Sequence, residues 1–330
     1  MTKRRMIISR TPLRITFVGG GTDLPEYYRS HGPGAVISAA INKYIYVNVH
    51  KRFDSSIRVG YSKTEIVDDP ERIEHPTVRE ALKLLDIKGG VEITTMGDIP
   101  AGGTGMGSSS SFLVGLLNAL HAWKGEYATP TELAEEAVKI ERGILKEPGG
   151  KQDQYIAAFG GMQFMEFHKD ESVIHTPIIM SEESREGLLK HLHLFYTGIQ
   201  RRSAQIHAIQ TTEIEKHVGD YRRMVDLSYG MFSDLTKNNW QSTGKYLHEN
   251  WLIKKTLSKG ISNDSVDNYY DRALRAGAEG GKLIGAGAGG FMLFFRSPDS
   301  AGEMVSALPE LREEPFEFSF QGSKIVYVGD

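Results

Sequence analysis

The stretch from Asp98 to Phe112, DIPAGGTGMGSSSSF, constrains this chain more than any other, because glycines crowd against serines directly before an apolar helical run. The preceding VEITT (91–95) reads as a strand, and Phe112, Leu113, Leu116, Leu117, Leu120 and Trp123 recur at helical spacing. The glycines therefore sit at a strand-to-helix turn. There Gly102, Gly103, Gly105 and Gly107 let the backbone approach a ligand closely, and the first free N–H groups of the helix face it with the positive end of the dipole. Ser108 to Ser111 are expected to add a cap and hydroxyl donors. Such a turn is a phosphate cradle. A flexible linker of glycine and serine rarely runs straight into an amphipathic helix.

A chain of 330 residues, 40% of them hydrophobic, supports roughly two domains with a core in each. Thirty-nine basic and 42 acidic residues give a formal net charge of −3, so no overall field favours nucleic acid or an anionic membrane. The absence of cysteine excludes disulfides, thiolate metal sites and cysteine nucleophiles, and fits a cytoplasmic location. Lys3, Arg4 and Arg5 open the chain, but Arg10 and Arg14 interrupt the apolar stretch that a signal peptide needs. No apolar run approaches the roughly 20 residues of a membrane span. A soluble protein is expected.

From the start, MIISRTPLRITFV reads as strand broken by Pro12, followed by Gly19, Gly20 and Gly21 before Thr22 and Asp23. These glycines either close a hairpin or form a ligand loop, and the carboxylate at the loop's end with Arg14 upstream points to the second. Residues 35–52 alternate as a strand, with IRVGYS (57–62) expected as its hairpin partner. Val78, Ala81, Leu82 and Leu85 mark a cover helix. Thr129, Pro130 and Glu132 form a helix start with a capping box. In that helix Glu141 falls in line with the apolar Ala137 and Val138, so a carboxylate faces inward unless it is merely ion-paired at the stripe's edge. Asp153 follows in GGKQDQYIAAFGG, and Lys151 beside it is placed to keep it ionised, as a base must be.

MQFMEF and SVIHTPII read as strands joined at Lys169-Asp170, and a boundary is expected near 175, separating domains 1–175 and 176–330. Residues 183–276 are mostly helical apart from a strand at 192–198, and Arg201 and Arg202 form a cationic pair. KLIGAGAGGFMLFF holds Gly285, Gly287, Gly289 and Gly290 and formally matches G-x-G-x-x-G. A dinucleotide site is excluded because FMLFF is a buried strand where that motif needs a helix. FEFSF and KIVYV read as closing strands.

The central loop is not a Walker A motif, since no G-K-[ST] follows the glycines. Three glycine stretches near residues 20, 105 and 287, with a loop aspartate between the second and third, resemble the GHMP small-molecule kinase family, which includes galactokinase, homoserine kinase, mevalonate kinase and phosphomevalonate kinase. The resemblance covers nearly the whole chain. It implies an α+β fold of two domains: an N-terminal mixed α/β domain with the ATP loop, to which the last strand can return, and a C-terminal ferredoxin-like α+β domain.

By that resemblance PAGGTGMGSSSS is the ATP loop, with Gly103, Thr104, Gly105, Met106, Gly107, Ser108, Ser109 and Ser110 on the nucleotide. Met106 stands where leucine is usual, and the segment before Gly105 is one residue longer than the family pattern. Ser109 and Glu141 are implied Mg²⁺ ligands, a hard-oxygen set suited to that ion. Asp153 is implied as the catalytic aspartate, with Arg14 beside it and the transferring phosphoryl group. Gly20, Gly21, Thr22, Asp23, Lys151, Gly287 and Gly289 are implied on the substrate side.

Gly20 and Gly21 replace the Glu-His of galactokinase, which argues against galactose. R-x-P-L-R-I-[ST]-F-x-G-G-G-T-D with the later G-K-Q-D-Q-Y looks instead like the D-glycero-D-manno-heptose 7-phosphate kinase branch, with fucokinase domains as near relatives. That resemblance implies ATP-dependent phosphorylation of the anomeric hydroxyl, giving the 1,7-bisphosphate on the route to nucleotide-activated heptose. The alternatives are another sugar 1-kinase such as L-fucokinase, or a non-catalytic sugar-phosphate sensor on the same fold. The 7-phosphate needs a cation, for which Lys151, Arg201 and Arg202 are candidates. Expected partners are ATP and a sugar phosphate, with no nucleic acid and no membrane; a homodimer is compatible with the sequence.

Overall fold

The computed structural model describes residues 6–100, 103–199, 203–297 and 301–329. The chain runs β1 (Met6–Val18), α1 (Pro25–His31), β2 (Gly34–Lys51), β3 (Ile57–Gly60), β4 (Thr64–Val67), α2 (Pro76–Leu84), β5 (Val91–Gly97), α3 (Ser108–Lys124), α4 (Pro130–Val138), a π-helical turn (Lys139–Ile144), α5 (Gln152–Phe159), β6 (Met162–Phe167) and β7 (Val173–Pro177). It continues through α6 (Glu182–Lys190), β8 (Leu192–Tyr196), α7 (Ser203–Glu213), α8 (Val218–Thr236), α9 (Thr243–Lys254), α10 (Asp264–Arg275), β9 (Gly280–Leu283), β10 (Phe291–Phe295), α11 (Ala301–Ala307), β11 (Arg312–Glu313) and β12 (Lys324–Gly329).

Two sheets result. The larger runs β12-β1-β2-β5-β3-β4, with β6 on β2 and β7 on β6; the smaller runs β11-β8-β10-β9. The last strand thus returns to the first sheet beside β1, and the boundary read at 175 falls inside β7. Chain length explains the shape of β2: its first half pairs with β6 and its second with β5, while β1 runs along both. The register of β1 slips after Pro12, which has no N–H to give a ladder.

Two expected pairings differ. Residues 57–60 do not form a hairpin with β2, because β5 inserts between them; β3 pairs parallel to β5 and antiparallel to β4. Alternation marks a half-buried strand but carries no information on which strand lies beside it. FEFSF is no strand either. Its Phe318 makes an isolated bridge to Ile41, and Glu317 and Ser319 bond Asn42 and Ala40, so the segment crosses β2 at the point where β2 changes partners.

The core positions the site. Leu13 to Val18 of β1 are buried throughout, because α3 packs on β1 and β2 while α8 lies against both strands and α9 against β1. Lys282 of β9 is fully buried and donates to the carbonyls of Thr16 (2.9 Å) and Phe17 (3.1 Å), tying the second sheet to the end of β1. The capping box forms as read: Thr129 Oγ1 accepts from Glu132 N (3.2 Å) and Glu132 accepts from Thr129 N (2.7 Å). Beyond α4 the helix widens into the π-turn, a local irregularity that sets the direction of Glu141.

Candidate active site

Gly103, Gly105 and Gly107 have φ of 70°, 76° and 74°, the left-handed region that a Cβ would strain. At Gly105 a Cβ would also meet the carbonyl oxygen of Ile284 at 2.3 Å, so the loop is locked against the strand-β9 end of the second sheet. Gly107 is the N-cap of α3, and no side chain among the described residues caps that helix. The expected serine cap is therefore absent. With Gly107 in the capping position, the serines enter the first turn and turn their hydroxyls elsewhere: Ser109 and Ser110 to Glu141, and Ser111 to the carbonyl of Pro12 at 2.8 Å. The helix N-terminus is left facing a cavity of about 370 Å³, lined by Gly103 to Gly105, Gly107 to Ser110, and, across it, Glu141, Arg142, Glu147 and Asp153. Met106 lies in the core and meets β1 through its carbonyl, which accepts from Arg14 N at 3.1 Å.

Glu141 is buried at the wall of this cavity. Its Oε1 accepts from Ser109 Oγ (3.1 Å), and its Oε2 from Ser110 Oγ (2.8 Å) and from the Gln154 amide. Three donors hold this buried carboxylate in place. The hydroxyl of Ser109 and the carboxylate of Glu141 are hard oxygen ligands at the edge of a phosphate-sized space, a donor set that fits Mg²⁺.

Arg14 and Asp153 form a bidentate pair, Nε to Oδ1 at 2.8 Å and Nη2 to Oδ2 at 2.7 Å. Arg14 also donates to the carbonyl of Gly105. Its side chain is 7% exposed against 22% for Asp153, so the arginine is fixed from behind and the carboxylate keeps a face open to the cavity. That face borders the helix N-terminus, since a Cβ on Gly107 would lie 3.3 Å from Asp153 Oδ2. The cation next to Asp153 is therefore Arg14, not Lys151. Lys151 turns to Glu171, which it bonds through both the carboxylate and the carbonyl, and stands over the ring of Tyr28 at 5.2 Å. Glu171 also draws Arg29 and Tyr28, and these donors pull its carboxyl down to about 2 against the opposing effect of burial. The two-residue step from Asp153 back to Lys151 is blind to this, because Lys151 is the cap of α5 and points away from its first turn.

Around Asp153 a second, smaller pocket of about 40 Å³ is lined by Arg14, Thr16, Gly20, Gly21, Asp23, Arg142, Gln152, His207 and Lys254. It shares Arg14, Arg142, Asp153, His207, Gly285 and Ala286 with the phosphate cavity, so the two are halves of one cleft. Gly20 and Gly21 belong to it, and Thr22 sits behind it, bonded to Ala35. Asp23 lines it with three internal donors: Gly21 N (2.9 Å), Gln152 N (3.2 Å) and Gln152 Nε2 (3.2 Å). Gly150 is obligatory there, because a Cβ would fall 1.8 Å from Asp23 Oδ2. Gly287 and Gly289 are not part of the lining. They pack against the backbone of Ile261 and against Ile199, and Gly285 and Ala286 line the cleft instead. Arg201 and Arg202 lie outside the described residues.

Among the cleft residues that the sequence analysis does not single out are Arg142, His207 and Lys254. Arg142 follows Glu141 and donates to the carbonyls of Gly150 (2.9 Å) and Glu147 (3.1 Å). Lys254 is buried at the end of α9, in line with Leu247, Asn250 and Trp251 at helical spacing. A charged residue on an apolar stripe was the signal that marked Glu141, and it marks Lys254 equally. Beside the glycine loop lies an apolar cavity of about 470 Å³, walled by Tyr61, His75, Met96, Ile99, Pro100 and Phe112 and opening on Ser108 and Ser109. Its walls come from separate elements, so no local pattern announces it.

The chain matches the family model for the GHMP kinases N terminal domain over residues 76–161 and that for the GHMP kinases C terminal over residues 231–313. It is similar to a D-glycero-alpha-D-manno-heptose 7-phosphate kinase of Campylobacter jejuni, 31% identical across 96% of this chain and 97% of that protein. An L-fucokinase/L-fucose-1-P guanylyltransferase of Bacteroides fragilis is 25% identical across 94% of this chain and 37% of its own length. Among solved structures, a D-glycero-D-manno-heptose 1-phosphate kinase of Bacteroides thetaiotaomicron superposes with a TM-score of 0.82 at 26% identity, covering 98% of this chain and all of that one. The chain therefore belongs to the GHMP kinase family: it is a phosphotransferase that uses ATP and takes an alcohol group as acceptor.

Proposed function

We propose that this enzyme is a sugar-phosphate kinase that phosphorylates the anomeric hydroxyl of D-glycero-D-manno-heptose 7-phosphate, forming the 1,7-bisphosphate that leads to nucleotide-activated heptose. The observation that carries the reading is the placement of Asp153: bound on one side by Arg14, open on the other, and next to the uncapped N-terminus of α3. The similarity to the Campylobacter jejuni heptose 7-phosphate kinase supports the choice of sugar.

Residues 103–110 and the α3 N-terminus hold the ATP phosphates, and the apolar cavity beside Ser108 holds the base. Ser109 and Glu141 would hold Mg²⁺, which would supply charge neutralisation on the phosphates. Asp153 accepts the hydroxyl proton as the new O–P bond forms, and the electron pair of the broken O–P bond leaves on ADP. Arg14 orients Asp153 through its bidentate contact, and its bond to the carbonyl of Gly105 fixes base and phosphate loop in one frame. Positioning and charge stabilisation supply most of the acceleration. For the distal phosphate, Lys151 is already engaged by Glu171; Arg142 and Lys146 line an outer groove of about 730 Å³ that meets the cleft at Arg142, and are the better candidates.

The test is ATP consumption with heptose 7-phosphate, L-fucose, galactose, mevalonate and homoserine as acceptors. Heptose 7-phosphate should give the highest kcat/KM. Preference for an unphosphorylated sugar, L-fucose above all given the Bacteroides fragilis relative, would move the assignment to a different sugar 1-kinase.

A further inference from the structure

Lys254 stands out among the buried charged groups of the cleft. Its Nζ donates to the carbonyl of Gly285 at 2.8 Å, and no other partner is present among the described residues, although an ammonium has three N–H donors. It lies 3.5 Å from where a Cβ on Gly20 would sit, close to the Gln152 amide, so it projects into the acceptor pocket and not the phosphate cavity. The carboxylate across the pocket, Asp23, is largely occupied by Gly21 and Gln152. His207 forms another wall, and its Nδ1 is buried without a partner among the described residues. The groups facing Lys254 are Asp23 from the loop after β1, Arg14 from β1, Asp153 from α5, His207 from α7 and Arg142 from the π-turn, with Lys282 of β9 behind.

Buried donors without acceptors are costly unless a ligand completes them. Resting on the kinase reading above, we propose that Lys254 is a specificity-determining residue that donates a charge-assisted hydrogen bond to an oxygen of the polyhydroxy acceptor, while Asp23 chiefly shapes the loop that surrounds it. Gly20 leaves the space that this contact needs. The second helical region thus contributes acceptor recognition through α9, at a distance in sequence from every glycine motif.

Burial pulls the Lys254 ammonium down to about 8, with Asp23 and Asp153 opposing and Arg14 adding to the effect. Below this value the charged donor is present, and above it acceptor affinity falls. Burial also holds His207 down at about 4, so it stays neutral across that range.

The experiment compares wild type and Lys254→Met with the acceptor that gives the highest wild-type turnover in the panel above. Failure of wild type to use heptose 7-phosphate overturns the substrate assignment alone, and the Lys254 comparison then proceeds with the preferred acceptor. The variant should raise KM for the acceptor by roughly 10- to 100-fold, the scale of one hydrogen bond to a charged group, with KM for ATP near its original value. Calorimetric titration of wild type with the acceptor alone should show affinity declining above pH of about 8. This second measurement stands even if the variant fails to fold; where it folds, its affinity should be flat with pH. Unchanged acceptor KM, an equal rise in the ATP KM, or a flat wild-type profile from pH 7 to about 9.5 overturns the proposal.

Discussion

The two halves of the cleft are built on opposite plans. The phosphate half comes from one contiguous stretch, residues 103–110, whose backbone dihedrals and helix N-terminus form most of the site, with Glu141 reaching in from the next helix. The acceptor half is assembled from single side chains on β1, the loop at 20–23, the π-turn, α5, α7 and α9. Backbone recognition of phosphate depends on glycine and on chain direction, so it is confined to a short motif. Recognition of a particular sugar depends on the placement of a few polar groups, and these can come from anywhere the fold brings together. Substitutions should therefore separate the two halves kinetically.

The largest effect is expected at the seam between them. Asp153→Asn should lower kcat by about 10²- to 10⁴-fold, the usual contribution of a general base, with little change in the KM for either substrate. Near-normal turnover of that variant would remove Asp153 from the base role. Next comes the phosphate half: Glu141→Gln should raise the Mg²⁺ concentration needed for half-maximal rate by roughly 10-fold or more, in line with losses around metal ligands. A magnesium titration that superimposes on wild type would take Glu141 out of the metal site.

On the acceptor half, Gly150→Ala places a methyl group against the Asp23 carboxylate, 1.8 Å away before relaxation. Overpacking of this kind costs about 1–3 kcal/mol, read as a lower Tm, and moving Asp23 should raise the acceptor KM more than the ATP KM. Equal changes in both would mean that the two halves respond as one. The smallest effect serves as a control: Thr129→Ala breaks the capping box far from the cleft and should cost about 1 kcal/mol of stability with unchanged kinetics.

The same contrast explains what the sequence disclosed. The glycine loop, the capping box at Thr129 and the inward Glu141 were legible because each is a local pattern with a local cause. Lys151 was misleading for the converse reason. Proximity to Asp153 in sequence suggested an ion pair, but a helix start sends the two side chains apart, and Arg14, 139 residues away, is the actual partner. The β2–β3 hairpin failed likewise: alternation identified both strands, while their separation by β5 depends on how the chain returns. Lys254 carried a local sign, a charge on an apolar stripe, whose meaning depends on which cavity that stripe borders.

The central claim is that Asp153 directs phosphoryl transfer to the anomeric oxygen of a heptose 7-phosphate. The most direct measurement is ³¹P NMR of the product formed from ATP and D-glycero-D-manno-heptose 7-phosphate, with wild type and Asp153→Asn run side by side. We expect a second sugar-phosphate resonance coupled to the anomeric proton, accumulating with wild type and nearly absent with the variant. Phosphate on another carbon, ATP hydrolysis without a bisphosphate, or equal accumulation by the variant would contradict it.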